Sequence, residues 1–263
     1  MISYCVCVYR PRLFYILLDD LIRKTGVPYE ILVWLNTRAP ELEAYIERLA
    51  LRGIPVKVVG SSPENVGMVG YKMLFLNAKY DMIAQVHDDV ICISRNIAKK
   101  AAAIFKKHGK VKQIVADVIQ DSFTTGGRPG DDSYIQVYEE ERLFSGPIDG
   151  WFSIYHRSIL PIVVEAPYAP YFYLGSYVQM QLAASKKEGL LCKAMKVLHL
   201  AGPAYSQLFE TVESEARKYT GLGNKEAADR YLNMKPSPEL LDQMCQQYKK
   251  NVEIIEEFGS DES

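Results

Sequence analysis

Apolar residues follow two alternating patterns over the first third of the chain. Short, mainly apolar runs, typical of strands, occur at 5–9, 30–35, 56–59 and 84–86. Apolar residues at helical spacing, ended or opened by Gly or Pro, fill the segments 13–22, 40–49 and 67–78. This alternation predicts right-handed βαβ crossovers, and therefore an α/β fold with a mainly parallel, doubly wound sheet.

The pattern is less regular beyond Asp117. We predict a strand at 151–155, a helix at 176–187, a short strand at 196–198 and helices from Gln207 onward. The segment 124–133 is rich in Gly, Pro and Asp, which predicts a loop able to close over a bound ligand.

Composition narrows the class of protein. The 263 residues are 48% hydrophobic and 24% charged, which excludes a disordered or fibrous chain. The net charge of -1 gives no global attraction to nucleic acid or to an anionic membrane. The cysteines are odd in number and form no C-x-x-C pair, and the N-terminus lacks the basic region of a signal peptide. We therefore expect a cytoplasmic protein without a membrane span, and the sequence leaves its oligomeric state open.

The residues His87, Asp88 and Asp89 end the predicted strand at 84–86. Two adjacent carboxylates repel each other unless a cation or a hydrogen-bond network holds them. Such a cluster is typical of Mg²⁺ or Mn²⁺ sites that also bind substrate phosphates. The alternative is a solvated turn between two elements.

Several segments, taken in order, resemble the GT-A glycosyltransferases, in particular the family 2 enzymes that use nucleotide sugars. Asn65-Val66-Gly67, followed by a helix and by the strand that ends at His87-Asp88-Asp89, is similar to the family's N-x-G segment and Asp-x-Asp motif. The segments 150–160 and 189–199 resemble its acceptor-side strand and its later strand with a histidine. The resemblance covers about residues 3 to 205 and implies a GT-A fold.

The resemblance also implies a division of the chain. Residues 1–205 would form the GT-A domain, with 1–116 as the nucleotide-sugar half and 117–205 as the acceptor half. Residues 206–263 would form a helical C-terminal extension with an acidic tail.

The resemblance implies a divalent metal held by Asp89 and His199, with Asp88 and His87 orienting the donor. His87 stands where the family usually has Asp, which is a departure from the motif. Because imidazole suits Mn²⁺ better than Mg²⁺, Mn²⁺ is the expected ion.

The ends of the first two strands correspond to the family's nucleobase pocket. Arg10 and Asn36 would line it, and Asn36 replaces the usual Asp with an amide that both donates and accepts. Asn36 could instead stabilise a turn. Lys72 could reach a donor phosphate or lie on a solvated helix face.

Asp149 is the candidate catalytic base, because the family's acid ahead of the helix near Ser176 is missing. A retaining mechanism, in which the leaving phosphate acts as base, is the alternative. Trp151 and Tyr173, within an aromatic-rich region, are candidate acceptor-binding residues, although such aromatics are also typical of core packing.

A run of basic residues without acids lies between Val90 and Ala116, along a predicted helix. Such a face is usually solvated, but it could also contact a polyanion. The predicted function is transfer of a sugar from a nucleotide diphosphate sugar to an acceptor hydroxyl on a glycan or on a hydroxylated DNA base. A nucleotidyltransferase and an inactive GT-A-like binding module are the alternatives.

Overall fold

The computed structural model describes residues 1–92, 94–124, 128–167 and 174–260, without the side chains of residues 92 and 253–260. Within this part the chain forms one sheet of ten strands. The strands are β1 (Ile2–Val8), β2 (Tyr29–Leu35), β3 (Val56–Ser61), β4 (Met82–His87), β5 (Val90–Cys92), β6 (Val111–Val118), β7 (Ile135–Tyr138), β8 (Leu143–Ser145), β9 (Phe152–His156) and β10 (Glu188–His199).

The helices lie between and after these strands. They are α1 (Pro11–Lys24), α2 (Pro40–Leu51), α3 (Met68–Asn77), α4 (Ile97–Lys107), α5 (Leu160–Glu165), α6 (Leu174–Ala184), α7 (Pro203–Leu208), α8 (Val212–Gly221), α9 (Lys225–Asn233) and α10 (Pro238–Ser260). Local sequence explains several boundaries. Proline occupies the first turn of α1 and of α2, where its missing N–H costs nothing.

The sheet runs in the order β3-β2-β1-β4-β9-β6-β10-β8-β7, and β5 pairs with β10. Strands β1 to β4 pair in parallel, as the alternating pattern predicts, and so do β6 and β10. Strand β9 inserts antiparallel between β4 and β6. The α/β fold with helices at the C-terminal end is therefore confirmed, with antiparallel pairing in its second half.

Several element predictions were wrong in detail. The basic segment predicted as a helix contains β5, α4 and β6. The short strand at 196–198 is the end of the twelve-residue strand β10, and the preceding helix already ends at Ala184. Strand β10 is longer than its local pattern predicts because it pairs with β5, β6 and β8, all of which are distant from it in sequence.

The loop at 124–133 is anchored in its second part. Arg128 Nε lies 2.5 Å from Asp117 Oδ1, and Arg128 Nη2 lies 2.8 Å from Asp131 Oδ1. Asp117 is fully buried at the end of β6 and also pairs with Lys196 of β10. Residues 125–127 lie outside the described part. The described residues from Arg128 to Asp131 are thus held to the sheet rather than free to close over a ligand.

The C-terminal helices pack back on the sheet through a partly buried polar contact. Asp121 Oδ2 accepts hydrogen bonds of 2.5 Å from Tyr205 Oη of α7 and of 2.5 Å from Asn251 Nδ2 of α10. Asp121 Oδ1 accepts from the backbone N–H groups of Phe123 and Thr124 at 2.7 and 2.8 Å. Among the described residues, no helix is both long and apolar enough to cross a membrane.

Candidate functional site

The carboxyl ends of β1, β2 and β4 meet the end of β10 at one edge of the sheet. Cys7 of β1 pairs with His87 of β4, so Tyr9 and Arg10 follow β1 beside Asp88. Strand β5 turns back after Asp89 and pairs antiparallel with β10, which aligns His199 with Val90. Residues that are more than one hundred positions apart in sequence, such as Asp89 and His199, therefore become neighbours.

His87, Asp89 and His199 form a potential metal-binding cluster. One ligand atom from each lies within 4.8 Å of the others. The rings of His87 and His199 are 5.8 Å apart, edge to face. Asp89 Oδ1 lies 3.2 Å from His199 Nε2, yet neither Asp89 Oδ1 nor His199 Nδ1, both buried, has a well-oriented hydrogen-bond partner in the described part of the chain. Buried polar atoms without partners are costly, and a bound cation would satisfy this donor set.

Arg10 joins three buried carboxylates at the same place. Its guanidinium pairs with Asp88 through Nη1, with Asp89 Oδ2 at 2.9 Å through Nη2, and with Glu215 of α8 through Nε. Asp88 Oδ2 also accepts from the backbone N–H groups of Tyr9 at 2.7 Å and of Arg10 at 2.5 Å. The hydrogen bonds of Asp88 thus fix the end of β1, and the guanidinium of Arg10 is engaged by the three carboxylates.

Burial and charge set the protonation states of the cluster. Burial lowers the pKa of His87 to about 3, so its imidazole is neutral and able to bind a metal. Burial raises the pKa of Asp88 to about 6 against the opposing charge of Arg10, and the neighbouring Asp89 adds to the rise. Burial would also raise the pKa of Asp89, but Arg10 and His199 outweigh it and hold that pKa well below its usual range. Asp89 is therefore the carboxylate of this pair that favours the ionised form.

A cavity of about 410 Å³ opens onto this cluster. It is lined by most of the residues expected from the sequence, namely Arg10, Asn36, His87, Asp88, Asp89, Asp149, Trp151 and His199. The N-x-G segment also reaches it through Asn65 and Gly67. The volume is within the range of small-molecule sites.

Two of the expected donor-binding residues have structural partners. Asn36 is buried, and its Oδ1 accepts from the backbone N–H of Val66 at 3.2 Å, which fixes the segment before α3. Lys72 does not line the cavity. Its Nζ contacts the backbone oxygens of Val164, at 3.2 Å, and of Ala166, which ties α3 to the end of α5.

Asp149 and Trp151 lie in the turn before β9. Burial raises the pKa of Asp149, although the backbone N–H of Gly150, at 2.7 Å from Oδ1, and the nearby His199 oppose the rise. Trp151 is buried, and its Nε1 donates to Ala116 O at 2.7 Å, so its indole is fixed against β6. A Cβ on Gly175 would lie 2.9 Å from Asp149 Oδ1, so α6 begins against this turn.

The candidate acceptor residue Tyr173 lies outside the described residues, as do 168–172. One wall of the cavity was not expected from the sequence. Helices α8 and α9 contribute Glu215, Lys218, Tyr219, Arg230 and Tyr231. Nothing in their local pattern distinguishes these residues from a solvated helix face, because only tertiary packing brings them to the sheet edge.

Comparison with solved structures relates the fold to glycosyltransferases. Mannosyltransferase PcManGT from Pyrobaculum calidifontis, solved with GDP-Man and Mn²⁺, matches with a TM-score of 0.56 and 11% identity, over 98% of this chain and 84% of that chain. GalNAc-T7, solved with UDP, GalNAc and Mn²⁺, matches with a TM-score of 0.60 and 11% identity, over 96% of this chain and 58% of that chain. S. aureus TarS 1-349 in complex with UDP gives 0.54 and 14%, over 94% and 70% of the two chains.

No protein-family model matches the chain, and no curated protein sequence does either. At 11 to 14% identity these structural matches establish the fold. The protein has the GT-A glycosyltransferase fold, as its sequence motifs indicate.

Proposed function

We propose that this protein is a metal-dependent glycosyltransferase that moves a sugar from a nucleoside diphosphate sugar to an acceptor hydroxyl. The observation that carries the proposal is the donor set of His87, Asp89 and His199, whose ligand atoms lie within 4.8 Å of one another at the strand ends of a GT-A fold. The GDP-Man, UDP and Mn²⁺ complexes of proteins with this fold support the same ligand class.

The residues fit a divalent cation. Asp89 is ionised, His87 is neutral, and a buried oxygen of Asp89 and a buried nitrogen of His199 lack hydrogen-bond partners among the described residues. When bound, the ion would stabilise the charge that develops on the diphosphate leaving group. Two imidazoles and one carboxylate suit Mn²⁺ better than Mg²⁺, which prefers oxygen ligands.

Asp149 is the proposed catalytic base. It lines the same cavity, and burial raises its pKa, which makes its carboxylate a better proton acceptor. It also contacts the start of α6, the region in which the sequence lacks an acid. In the proposed reaction, Asp149 takes the proton from the acceptor hydroxyl as the hydroxyl oxygen attacks the anomeric carbon. The bond to the diphosphate breaks, and the nucleoside diphosphate leaves.

Other residues would position the donor. His87 would complete the metal site, whereas Asp88 would act indirectly, by fixing Arg10 and the end of β1. Asn36 would place the N-x-G segment against the nucleoside. Trp151 would form a fixed aromatic surface for the acceptor. The acceptor classes named from the sequence, a glycan or a hydroxylated DNA base, stay predictions, and so does the role of Tyr173.

Calorimetric titration tests the proposal. UDP, GDP, CDP and dTDP are each titrated into the wild-type protein and the Asp89→Asn variant, with and without Mn²⁺. We expect one nucleoside diphosphate to bind wild type only with Mn²⁺, and the variant to lose this binding. The His156→Ala variant, altered far from the cavity lining, should behave as wild type.

Product analysis separates the alternatives. Release of a nucleoside diphosphate from the matching nucleotide sugar supports a glycosyltransferase. With added pyrophosphate, release of a sugar 1-phosphate together with a nucleoside triphosphate would favour a nucleotidyltransferase. Binding without any turnover would favour an inactive binding module, and the absence of any metal-dependent nucleotide binding would refute the proposal.

A further inference from the structure

The C-terminal helices form part of the cavity that holds the candidate metal-binding cluster of His87, Asp89 and His199. Helix α8 contributes Glu215, Lys218 and Tyr219, and helix α9 contributes Arg230 and Tyr231. The strand ends supply the acidic side of the cavity, with Asp88, Asp89 and Asp149. The cavity is therefore shared between the sheet domain and the helical extension.

Direct contacts hold α8 against Tyr9 and Arg10, which follow β1 beside the candidate metal-binding cluster. Glu215, itself buried, pairs with Arg10, and Tyr9 Oη donates to the backbone oxygen of Ser214 at 3.1 Å. Helices α8 and α9 are joined by the stacked rings of Tyr219 and Tyr231, whose centroids are 5.4 Å apart. These contacts fix the wall formed by α8 and α9 relative to the sheet.

Two basic side chains of the wall, Lys218 and Arg230, line the same cavity as the acidic strand ends. Lys218 is largely buried, with Nζ 3.4 Å from Glu215 Oε2. Arg230 is exposed at the cavity and forms no ion pair with any residue of the described chain. Arg10, by contrast, is already engaged by three carboxylates and has little capacity left for an anionic ligand.

We propose that Lys218 and Arg230 bind the diphosphate of the donor, so that the C-terminal extension is part of the donor site. The inference rests on the proposed function and extends it to these two residues. A nucleoside diphosphate carries more negative charge than a single divalent cation neutralises, and Lys and Arg supply charge-assisted hydrogen bonds to phosphate oxygens. Glu215 is the positioning residue that connects this wall to Arg10 and the metal cluster.

The ligands of choice for the test are the nucleoside diphosphate that binds wild type and the matching nucleoside monophosphate. The variants are Lys218→Gln and Arg230→Gln. The controls are Lys225→Gln and Arg217→Gln, which remove the same charges from exposed positions on α9 and α8 outside the cavity lining. Titrations are made with Mn²⁺ at two salt concentrations, and Mn²⁺ alone is titrated into every variant.

We expect each cavity variant to weaken diphosphate binding by about tenfold or more, the usual effect of losing one charge-assisted hydrogen bond. The loss should be smaller for the monophosphate, the salt dependence should decrease, and the affinity for Mn²⁺ alone should stay at the wild-type value. The two controls should bind as wild type does.

Three results would overturn the inference. Wild-type diphosphate affinity in both cavity variants would show that the wall does not bind the phosphates. A parallel loss of affinity for Mn²⁺ alone would show that the side chains act only through Glu215. An equal loss in the controls would indicate a general charge effect. If wild type itself bound no nucleoside diphosphate with Mn²⁺, the proposed glycosyltransferase function would be refuted. This result differs from a failure of the inference on Lys218 and Arg230, in which wild type binds and the variants bind equally well.

Discussion

Arg10, which follows β1, and Glu215 of α8 form a buried ion pair although they are 205 positions apart in sequence. Arg10 also pairs with Asp88 and Asp89, so one guanidinium connects the acidic motif to the C-terminal helices. The acidic motif, the first strand and the extension therefore form one electrostatic unit, in which a change at one member alters the others.

Replacement of Arg10 by Met should leave Asp88, Asp89 and Glu215 without their shared counter-charge. Breaking a buried ion pair costs about 3–5 kcal/mol, so we expect the free energy of unfolding to fall by about that amount. Mn²⁺ should raise the melting temperature of Arg10→Met more than that of wild type, because the ion then replaces the missing positive charge. Thermal unfolding with and without Mn²⁺ measures both effects.

Arg12→Met is the matched control for this variant. Arg12 pairs with Glu210 at the surface, where both side chains are more than half exposed. Exposed pairs contribute little, so the change should stay within about 1 kcal/mol. A Mn²⁺ response of Arg10→Met no larger than that of wild type would contradict the predicted compensation.

Asp149→Asn tests the proposed base. The amide oxygen can still accept from the N–H of Gly150, so the turn should be preserved. We expect transfer or slow hydrolysis of the nucleotide sugar to fall by about 10²–10⁴-fold, the usual contribution of a general base, with unchanged affinity for the nucleoside diphosphate. Steady-state rates and calorimetry measure the two quantities. The exposed Asp132→Asn variant serves as control, and a wild-type rate in Asp149→Asn would favour a retaining mechanism.

Asp121 should stabilise the packing of the C-terminal helices in a pH-dependent manner. Burial would raise its pKa, but the hydrogen bonds from Tyr205, Phe123, Thr124 and Asn251 outweigh it and lower the pKa. A carboxyl group whose pKa is lower in the folded state than in the unfolded state stabilises the fold at pH values above the unfolded-state pKa, about 3.9. This stabilisation is lost as the pH falls through the pKa of the folded state.

Asp121→Asn should therefore lower the free energy of unfolding by about 2 kcal/mol at pH 7. The difference from wild type should be constant down to about pH 5 and narrow only below about pH 4. Urea unfolding across this pH range measures it, with Asp242→Asn on the exposed face of α10 as control. A difference that grows as the pH falls would contradict the assignment.

The cysteines should differ strongly in reactivity. Burial raises the pKa of the Cys5 and Cys7 thiols well above their usual value and raises that of Cys192 to about 11. Cys245 is only half-buried. Because the thiolate is the reactive form, iodoacetamide at pH 8 should modify Cys245 before Cys5, Cys7 and Cys192. Mass spectrometry locates the label, and equally rapid labelling of Cys5 in the native protein would contradict the buried first strand.

The sequence by itself determined the parallel part of the fold. Strands β1, β2 and β4 are buried, mainly apolar runs, and β3 is a partly exposed edge strand; helices with local start and stop signals separate them, and such local patterns persist in the folded protein. The resemblance of the motifs, taken in order, to the GT-A glycosyltransferases added Asp89 and His199 as expected metal ligands. These features depend on residues that are close in sequence.

Only the tertiary structure decided the rest of the site. The pairing of β5 with β10 aligns His199 with Val90, and no local signal encodes that register. Lys72 proved to be bonded to backbone oxygens near α5, although its sequence position also suited a phosphate contact. Glu215 reaches Arg10 because α8 packs over the sheet edge. These ion pairs and the cavity wall form between segments that are distant in sequence. The free energy of such contacts depends on burial and long-range packing, which the residues next to each position in the sequence do not determine.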